Sequence, residues 1–255
     1  MRRFFVETQQ IDHDLVTITG QDAKHLGKVL RLSSGDEIQV FDGSGVEYLV
    51  KITSVKPSQA TGIVLGRQQG STEPPLKVNL VQALPKQGKM ELIIQKCTEL
   101  GVGAIYPVET DRTVVKLEGA KGGEKTERWQ KVAVEAVKQC GRSYVPKVFL
   151  PQSLAELLKL IVSKNDTALI MLWEGEKTRG LKKVLSQWEN QRDKPELFLL
   201  IGPEGGFTEE EVDKVQAYGG QVVTLGPRIL RTETAGMVAL GAILYHLGDL
   251  GGQGL

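Results

Sequence analysis

Apolar and polar residues alternate with two different periods along this 255-residue chain, and the period changes near residue 72. Before that point period two prevails. Glu37-Ile38-Gln39-Val40-Phe41 and Val46-Glu47-Tyr48-Leu49-Val50-Lys51-Ile52 are alternating runs joined by Asp42-Gly43-Ser44-Gly45. That pattern predicts a β-hairpin, because glycines supply the positive φ that tight hairpin turns need. Gly35-Asp36, Pro57-Ser58 and Gly62 punctuate further short strands and predict a small β-barrel, interrupted by one helix over 23–31. The stretch 68–75 lacks apolar periodicity, carries turn residues and reads as a linker.

Beyond the linker, strand and helix patterns alternate. Strands are expected at 78–84, 104–108, 168–173, 197–201 and 221–225, the last three being apolar runs short enough for buried parallel strands. Helices are expected at 88–100, 124–139, 153–162, 178–188, 208–218 and 234–247. Ser153 is placed to cap the third of these, and Thr208 with Glu211 has capping-box spacing at the fifth. Repeated strand–helix–strand units predict an α/β fold with a parallel sheet covered on both faces.

Composition adds mainly exclusions. Forty per cent hydrophobic and 25% charged residues are an ordinary globular mix. No run approaches the ~20 apolar residues of a membrane helix. The opening MRRFFVETQQ has too short an apolar stretch for a secretory leader, so a cytoplasmic protein without a membrane partner is expected. Cys97 and Cys140 cannot build a disulfide framework, and His13, His25 and His246 lack metal-ligand spacing, so no metal is expected. Net charge is +1 overall but uneven: 0 over 1–72, +4 over 73–150 and −3 over 151–255, so the middle third has the excess of base.

Ligands of open α/β sheets bind beyond the carboxyl ends of the strands, and three such ends carry candidate chemistry. Ile201-Gly202-Pro203-Glu204-Gly205-Gly206-Phe207 leaves a strand through a glycine-rich turn that lets a ligand approach backbone amides. Its G-x-x-G-G spacing fits neither the dinucleotide fingerprint nor the phosphate loop. Leu225-Gly226-Pro227-Arg228-Ile229-Leu230-Arg231-Thr232-Glu233-Thr234-Ala235 mixes apolar and ionic residues, as an adenine pocket beside an ion-handling site would. Leu172-Trp173 ends the third strand. Lys24, His25, Lys28 and Arg31 fall on one face of the expected helix and could track phosphates. Small residues Ala235, Gly236, Ala239, Gly241 and Ala242 in the last helix permit close packing, as at a dimer seam, in a knotted chain or in an ordinary tight core.

IGPEGGF followed by LGPRILRTETA resembles the RsmE family of the SPOUT class of S-adenosylmethionine-dependent RNA methyltransferases. Further blocks match in order: Arg2-Arg3-Phe4-Phe5-Val6, His25 to Leu32, Lys86 to Gly101, and Glu127-Arg128-Trp129 through Gln139-Cys140-Gly141-Arg142 to Val145-Pro146. The resemblance implies a PUA-like β-barrel for RNA binding over 1–72. It implies a SPOUT-type parallel-sheet domain with a trefoil knot over 73–255, for donor binding, catalysis and homodimerisation. The implied reaction is methylation of uridine N3 in 16S ribosomal RNA, on the RNA or the small ribosomal subunit. The implied donor contacts are Leu172, Trp173, Ile201, Gly202, Pro203, Gly205, Gly206, Leu225, Gly226, Ile229, Leu230, Thr232, Thr234 and Ala235, largely through backbone atoms.

Uridine N3 must lose a proton before it attacks, so the site needs a base, with Glu204 and Glu233 as candidates, or a cation, with Arg231 foremost. RNA contacts are expected from Arg2, Arg3, Lys24, His25, Lys28, Arg31, Lys86, Arg128, Gln139, Arg142 and Arg228. Carbon-5 methylation would require a nucleophile but N3 methylation does not, which leaves Cys140 a packing residue. A nicotinamide-dependent oxidoreductase, or an RNA-binding module without catalysis, are the competing readings; the absent G-x-G-x-x-G opposes the first, and the charged loops at 201–207 and 225–235 oppose the second.

Overall fold

The computed structural model describes residues 2–86, 88–116, 119–189, 191 and 194–251. Contacts divide the chain into two compact units, one of residues 1–73 with 137–145, the other of 74–136 with 146–255.

The first unit is built on β1 (Arg3–Phe5), β2 (Ile11–Asp12), β3 (Leu15–Thr19), β4 (Glu37–Phe41), β5 (Val46–Lys56) and β6 (Gln59–Gln69). They form one mixed sheet in the order β1-β4-β5-β6-β3-β2, parallel only between β1 and β4. The β5–β6 register shifts at Leu49/Val50 and again at Ile52/Ser54, irregularities that raise local twist and bend long strands around a core. Ile38, Val40, Val50, Ile52 and Ala60 meet Ala23 and Leu26 in that core. The helix expected at 23–31 is instead α1 (Gly20–Lys24) running into a π-helical turn at His25–Val29, closed by the Leu30 N–H donating to His25 O at 3.0 Å. The wider turn spreads Lys24, His25 and Lys28, and Arg31 leaves it at a φ of 55°. All four are exposed, but not as one regular helical face.

A buried polar frame completes this unit. Arg3 donates to Glu47 Oε1 at 3.0 Å and to the Arg142 carbonyl at 3.1 Å, and its guanidinium lies 4.7 Å from the Phe41 ring centre. Arg142, 4% exposed, grips Glu73 through Nε at 3.1 Å and Nη2 at 2.7 Å.

The second unit holds β7 (Val78–Ala83), β8 (Ala104–Glu109), β9 (Lys147–Val148), β10 (Gln152–Ser153), β11 (Thr167–Leu172), β12 (Glu196–Ile201) and β13 (Gln221–Val223). All pair in parallel, in the order β10-β8-β7-β12-β11-β13 with β9 beside β8. The helices are α2 (Lys89–Leu100), α3 (Gly119–Cys140, whose residues 137–140 group with the first unit), α4 (Leu154–Val162), α5 (Leu181–Leu185), α6 (Glu209–Ala217) and α7 (Thr232–His246). Period-two alternation sorts each strand between two cores. Val78, Leu80, Leu197, Leu199 and Ile201 face α2, α5 and α7, whereas Val81, Ala83, Phe198 and Leu200 face α4 and α6.

Capping boxes close Ser153 with Glu156 and Thr208 with Glu211, so α4 and α6 start at their expected caps. The helix expected at 178–188 shrinks to α5. Glu176 accepts the N–H groups of Thr178 and Arg179, and Gly180 bridges to Thr224, which keeps the chain extended up to Leu181.

Candidate active site

β12, β11 and β13 are neighbours in the sheet, so their carboxyl ends deliver three loops side by side. The Trp173 N–H donates to Val223 O at 3.2 Å and joins the first of these loops to the end of β13.

The loop after β12 is held at successive residues by different elements. Gly202 O accepts the Thr232 hydroxyl from α7 at 2.6 Å. That hydroxyl in turn accepts from Gln82 Nε2 at 2.9 Å, a fully buried side chain on β7. Gly206 N–H closes a turn on Pro203 O at 3.0 Å, with Gly206 at a φ of 69°. Glu204 accepts from the Lys86 N–H at 3.1 Å and from Lys89 Nζ at 3.0 Å. Gly205 O accepts from Arg112 Nη1 at 2.7 Å. At Gly206 the positive φ favours glycine, and the nearest neighbour of a Cβ there would be the carboxylate of the exposed Glu174, which is free to swing away.

The loop after β13 differs. Gly226, Pro227, Arg228, Ile229 and Arg231 are exposed, Ile229 at 83%. Gly226 has a φ of 122° with nothing within 4 Å of its Cβ position. The chain then enters α7 at Arg231, whose carbonyl accepts the Thr234 and Ala235 N–H groups at 2.9 and 2.8 Å.

Lys89, at the first position of α2, lies 3.0 Å from Glu204 and 3.2 Å from Glu233. Desolvation pushes the Glu204 carboxyl up, but the Lys89 hydrogen bond and the backbone N–H groups of Glu204 and Lys86 win and hold it below the usual carboxylate value. Glu233 is likewise lowered, first by its own N–H at the start of α7 and, against desolvation, by Lys89 and Arg231. Lys89 is raised by the contacts with Glu204 and then Glu233.

Sequence reasoning named Glu204, Glu233, Thr232 and the glycines but missed Lys89, Gln82 and Arg112, which arrive from α2, β7 and the segment after β8. A cation opening a helix and a lone glutamine in the apolar strand VNLVQA were the signals available. Of the expected RNA contacts, Arg2, Lys24, His25, Lys28, Arg31 and Gln139 are exposed in the first unit, and Lys86, Arg128 and Arg228 in the second. Arg128 also pairs with Glu91 at 3.2 Å. Arg3 and Arg142 are turned inward instead, into the polar frame around Glu47 and Glu73.

Comparison with known proteins agrees with this arrangement. A family model described as an RNA methyltransferase domain matches residues 72–244, and one described as an RNA methyltransferase PUA domain matches 18–65. Ribosomal RNA small subunit methyltransferase E of Bacillus subtilis (strain 168) is 37% identical over 96% of this chain and 97% of its own length. The protein of the same name from Synechocystis is 36% identical over 94% of this chain and 76% of its own. Among solved structures, the Neisseria gonorrhoeae small subunit methyltransferase E bound to S-adenosyl methionine is 30% identical. It has a TM-score of 0.82 and covers 98% of this chain and all of its own. A Legionella pneumophila methyltransferase in complex with the same cofactor gives 30% identity and a TM-score of 0.75, covering 95% of this chain and 96% of its own. The chain therefore belongs to the RNA methyltransferase family of ribosomal RNA small subunit methyltransferase E, with a PUA-like unit ahead of a SPOUT-type α/β domain.

Proposed function

We propose that this protein transfers a methyl group from S-adenosylmethionine to N3 of a uridine in small-subunit ribosomal RNA. The observation that carries the reading is the convergence of three loops at the β11, β12 and β13 ends, one pinned and glycine-lined, one open and apolar. The residues suit the donor: Gly226 offers open backbone, Ile229 an uncovered apolar side chain, and Leu172, Leu225 and Leu230 partly buried ones for a nucleoside. We assign the donor to these residues together with Trp173, Ile201 to Pro203, Gly205, Gly206, Thr232, Thr234 and Ala235. When bound, the sulfonium supplies a methyl group already activated for transfer.

The protein's own task is then to present uridine N3 as an anion in line with that methyl. Arg231 is exposed at the mouth of α7, where its guanidinium stabilises charge developing on the uracil oxygens. Glu204 and Glu233, both held below the ordinary carboxylate value and both in contact with Lys89, are weak proton acceptors. Their role is to order the loops, and the N3 proton leaves to solvent. RNA is gripped through Arg2, Lys24, His25, Lys28, Arg31, Lys86, Arg128, Gln139 and Arg228.

The active form is a homodimer. From Ala235 to Leu244 α7 carries only apolar residues and glycine, and it leaves Val238 at 45% and Tyr245 at 69% exposure with Ala242 between them. Leu92 of α2, the helix α7 packs along, is exposed at 43%. Exposed apolar positions one and two turns apart on adjacent helices suit a second copy. Among the described residues no helix is long and apolar enough to cross a membrane; a ribosomal RNA substrate supports the reading of a cytoplasmic protein.

Calorimetry with S-adenosylmethionine and with NAD tests the donor. Binding of the first and not the second is expected, and the reverse would restore the oxidoreductase reading. Sedimentation tests the dimer, which a fully active monomer at low concentration would rule out.

A further inference from the structure

Lys89 stands where a helix least favours it. The first turn of an α-helix carries partial positive charge and prefers Asp or Glu, yet Lys89 opens the twelve-residue α2, directly after Gly88 at a φ of 62°. Helix stability does not explain a cation there. Its neighbours do: the side chain is 30% exposed and reaches Glu204 at 27% and Glu233 at 14% exposure. Glu233 Oε2, buried from solvent, lies 3.2 Å from the Lys89 ammonium. A local rule broken beside a functional site marks a residue kept for the site.

We infer that Lys89 is a positioning residue: its ammonium clasps the Glu204 carboxylate of the β12 loop to the Glu233 carboxylate of α7 and so sets the separation of two donor-binding segments. The role in methyl transfer rests on the donor assignment proposed above. The clasp works in parallel with a neutral link, since Gln82, Thr232 and the Gly202 carbonyl tie the same two segments one residue away from Glu233. The groups that face the pair are Lys89 and the Lys86 N–H at Glu204, and Lys89 and Arg231 at Glu233. Without the ammonium, two carboxylates that each lie within 3.2 Å of it lose the counter-charge they share, and one of them takes up a proton more readily or the segments part.

The test compares Lys89→Met, which keeps most of the stem and removes the charge, with Lys89→Arg, which keeps the charge. Two readouts are taken on the full chain: S-adenosylmethionine affinity by calorimetry, and the titration of the Glu204 and Glu233 carboxyl carbons by NMR without donor. Lys89→Met is expected to weaken donor binding by about tenfold or more, a factor worth roughly 1.4 kcal/mol. At least one carboxyl midpoint should rise by about one unit or more. Lys89→Arg should leave both midpoints low and lose clearly less affinity. The double variant Lys89→Met with Glu204→Gln should regain part of the lost affinity, because the repulsion is gone.

Wild-type donor affinity in Lys89→Met with unmoved midpoints would overturn the inference. Equal losses in the Met and Arg variants at unchanged thermal midpoints would do so too, and this comparison stands even if the Met protein is less stable. Wild-type protein that takes up no donor would overturn the functional reading itself, so the two failures are told apart.

Discussion

The loops after β12 and β13 lie at the ends of strands that flank β11, yet they are built in opposite ways. The first is bonded to Thr232, Lys86, Lys89 and Arg112 and backed by Glu174. The second exposes most of its residues, and Arg228 and Arg231 have no side-chain hydrogen bond or ion pair among the described residues. A loop whose shape is fixed before the ligand arrives spends little binding energy on ordering, while an open one keeps its cations and apolar groups for the ligand. The contrast divides the labour: the pinned turn sets donor geometry, and the open loop meets adenosine, uracil and phosphate.

Substitutions can break that division, beginning with the pinned turn. Gly206→Val puts a β-branched residue at a φ of 69°, in the left-handed region. Donor affinity should fall by about a hundredfold or more while circular dichroism stays native, given the ~1–3 kcal/mol cost of such backbone strain and the lost turn shape. Next is Arg231→Ala. Single-turnover methylation at saturating donor and RNA should drop by about 10²–10³, the usual cost of one anion-stabilising donor, with donor affinity changed less than about threefold. A loss confined to RNA affinity would make Arg231 a phosphate ligand instead.

Thr232→Val sharpens the contrast from inside. It removes the only side-chain donor to Gly202 O among the described residues and one of the two acceptors of Gln82 Nε2, which keeps its bond to Ala83 O. Urea unfolding should show about 1–3 kcal/mol of destabilisation. Arg228→Ala should leave catalysis intact, weaken RNA binding uniformly across sequences and reduce its salt slope by about one. The smallest effect is on pH. Glu204 and Glu233 have lowered folded-state pKa values, so the stability they add is complete above the ordinary value of about 4.3 and is lost as pH falls through the lower folded values. Thermal midpoints should therefore be flat with respect to these groups from neutral pH down to about pH 5.

How far the sequence carried the fold depends on where each signal lies. Short apolar runs such as Leu197–Ile201, and caps such as Ser153 and Thr208, act within a few residues, and those elements appear where expected. The short α5 was not legible because it depends on a bond made across the fold, Gly180 to Thr224, and the π turn at His25–Val29 was not because its closure is local and helical periodicity does not tell it from an α-helix. The same holds at the site. The glycines, Glu204, Arg231 and Thr232 stand within two contiguous motifs and could be read directly. Lys89 and Gln82 come to those motifs from about 115 and 150 residues away in the chain, and nothing in their own neighbourhoods states the partner. Arg3 and Arg142 show the converse. Basic residues at motif positions read as RNA contacts, but burial against Glu47 and Glu73 is a tertiary fact.

The most direct test of methyl transfer to uridine N3 is product analysis. Purified protein is incubated with S-adenosylmethionine carrying a heavy-isotope methyl group and with small-subunit particles lacking the modification, and the RNA is digested to nucleosides for mass spectrometry. The expected result is labelled N3-methyluridine at a single nucleotide, absent when Arg231 is replaced by Ala over one wild-type turnover time. Label on a ribose, on uracil carbon 5 or on no nucleoside at all would contradict it.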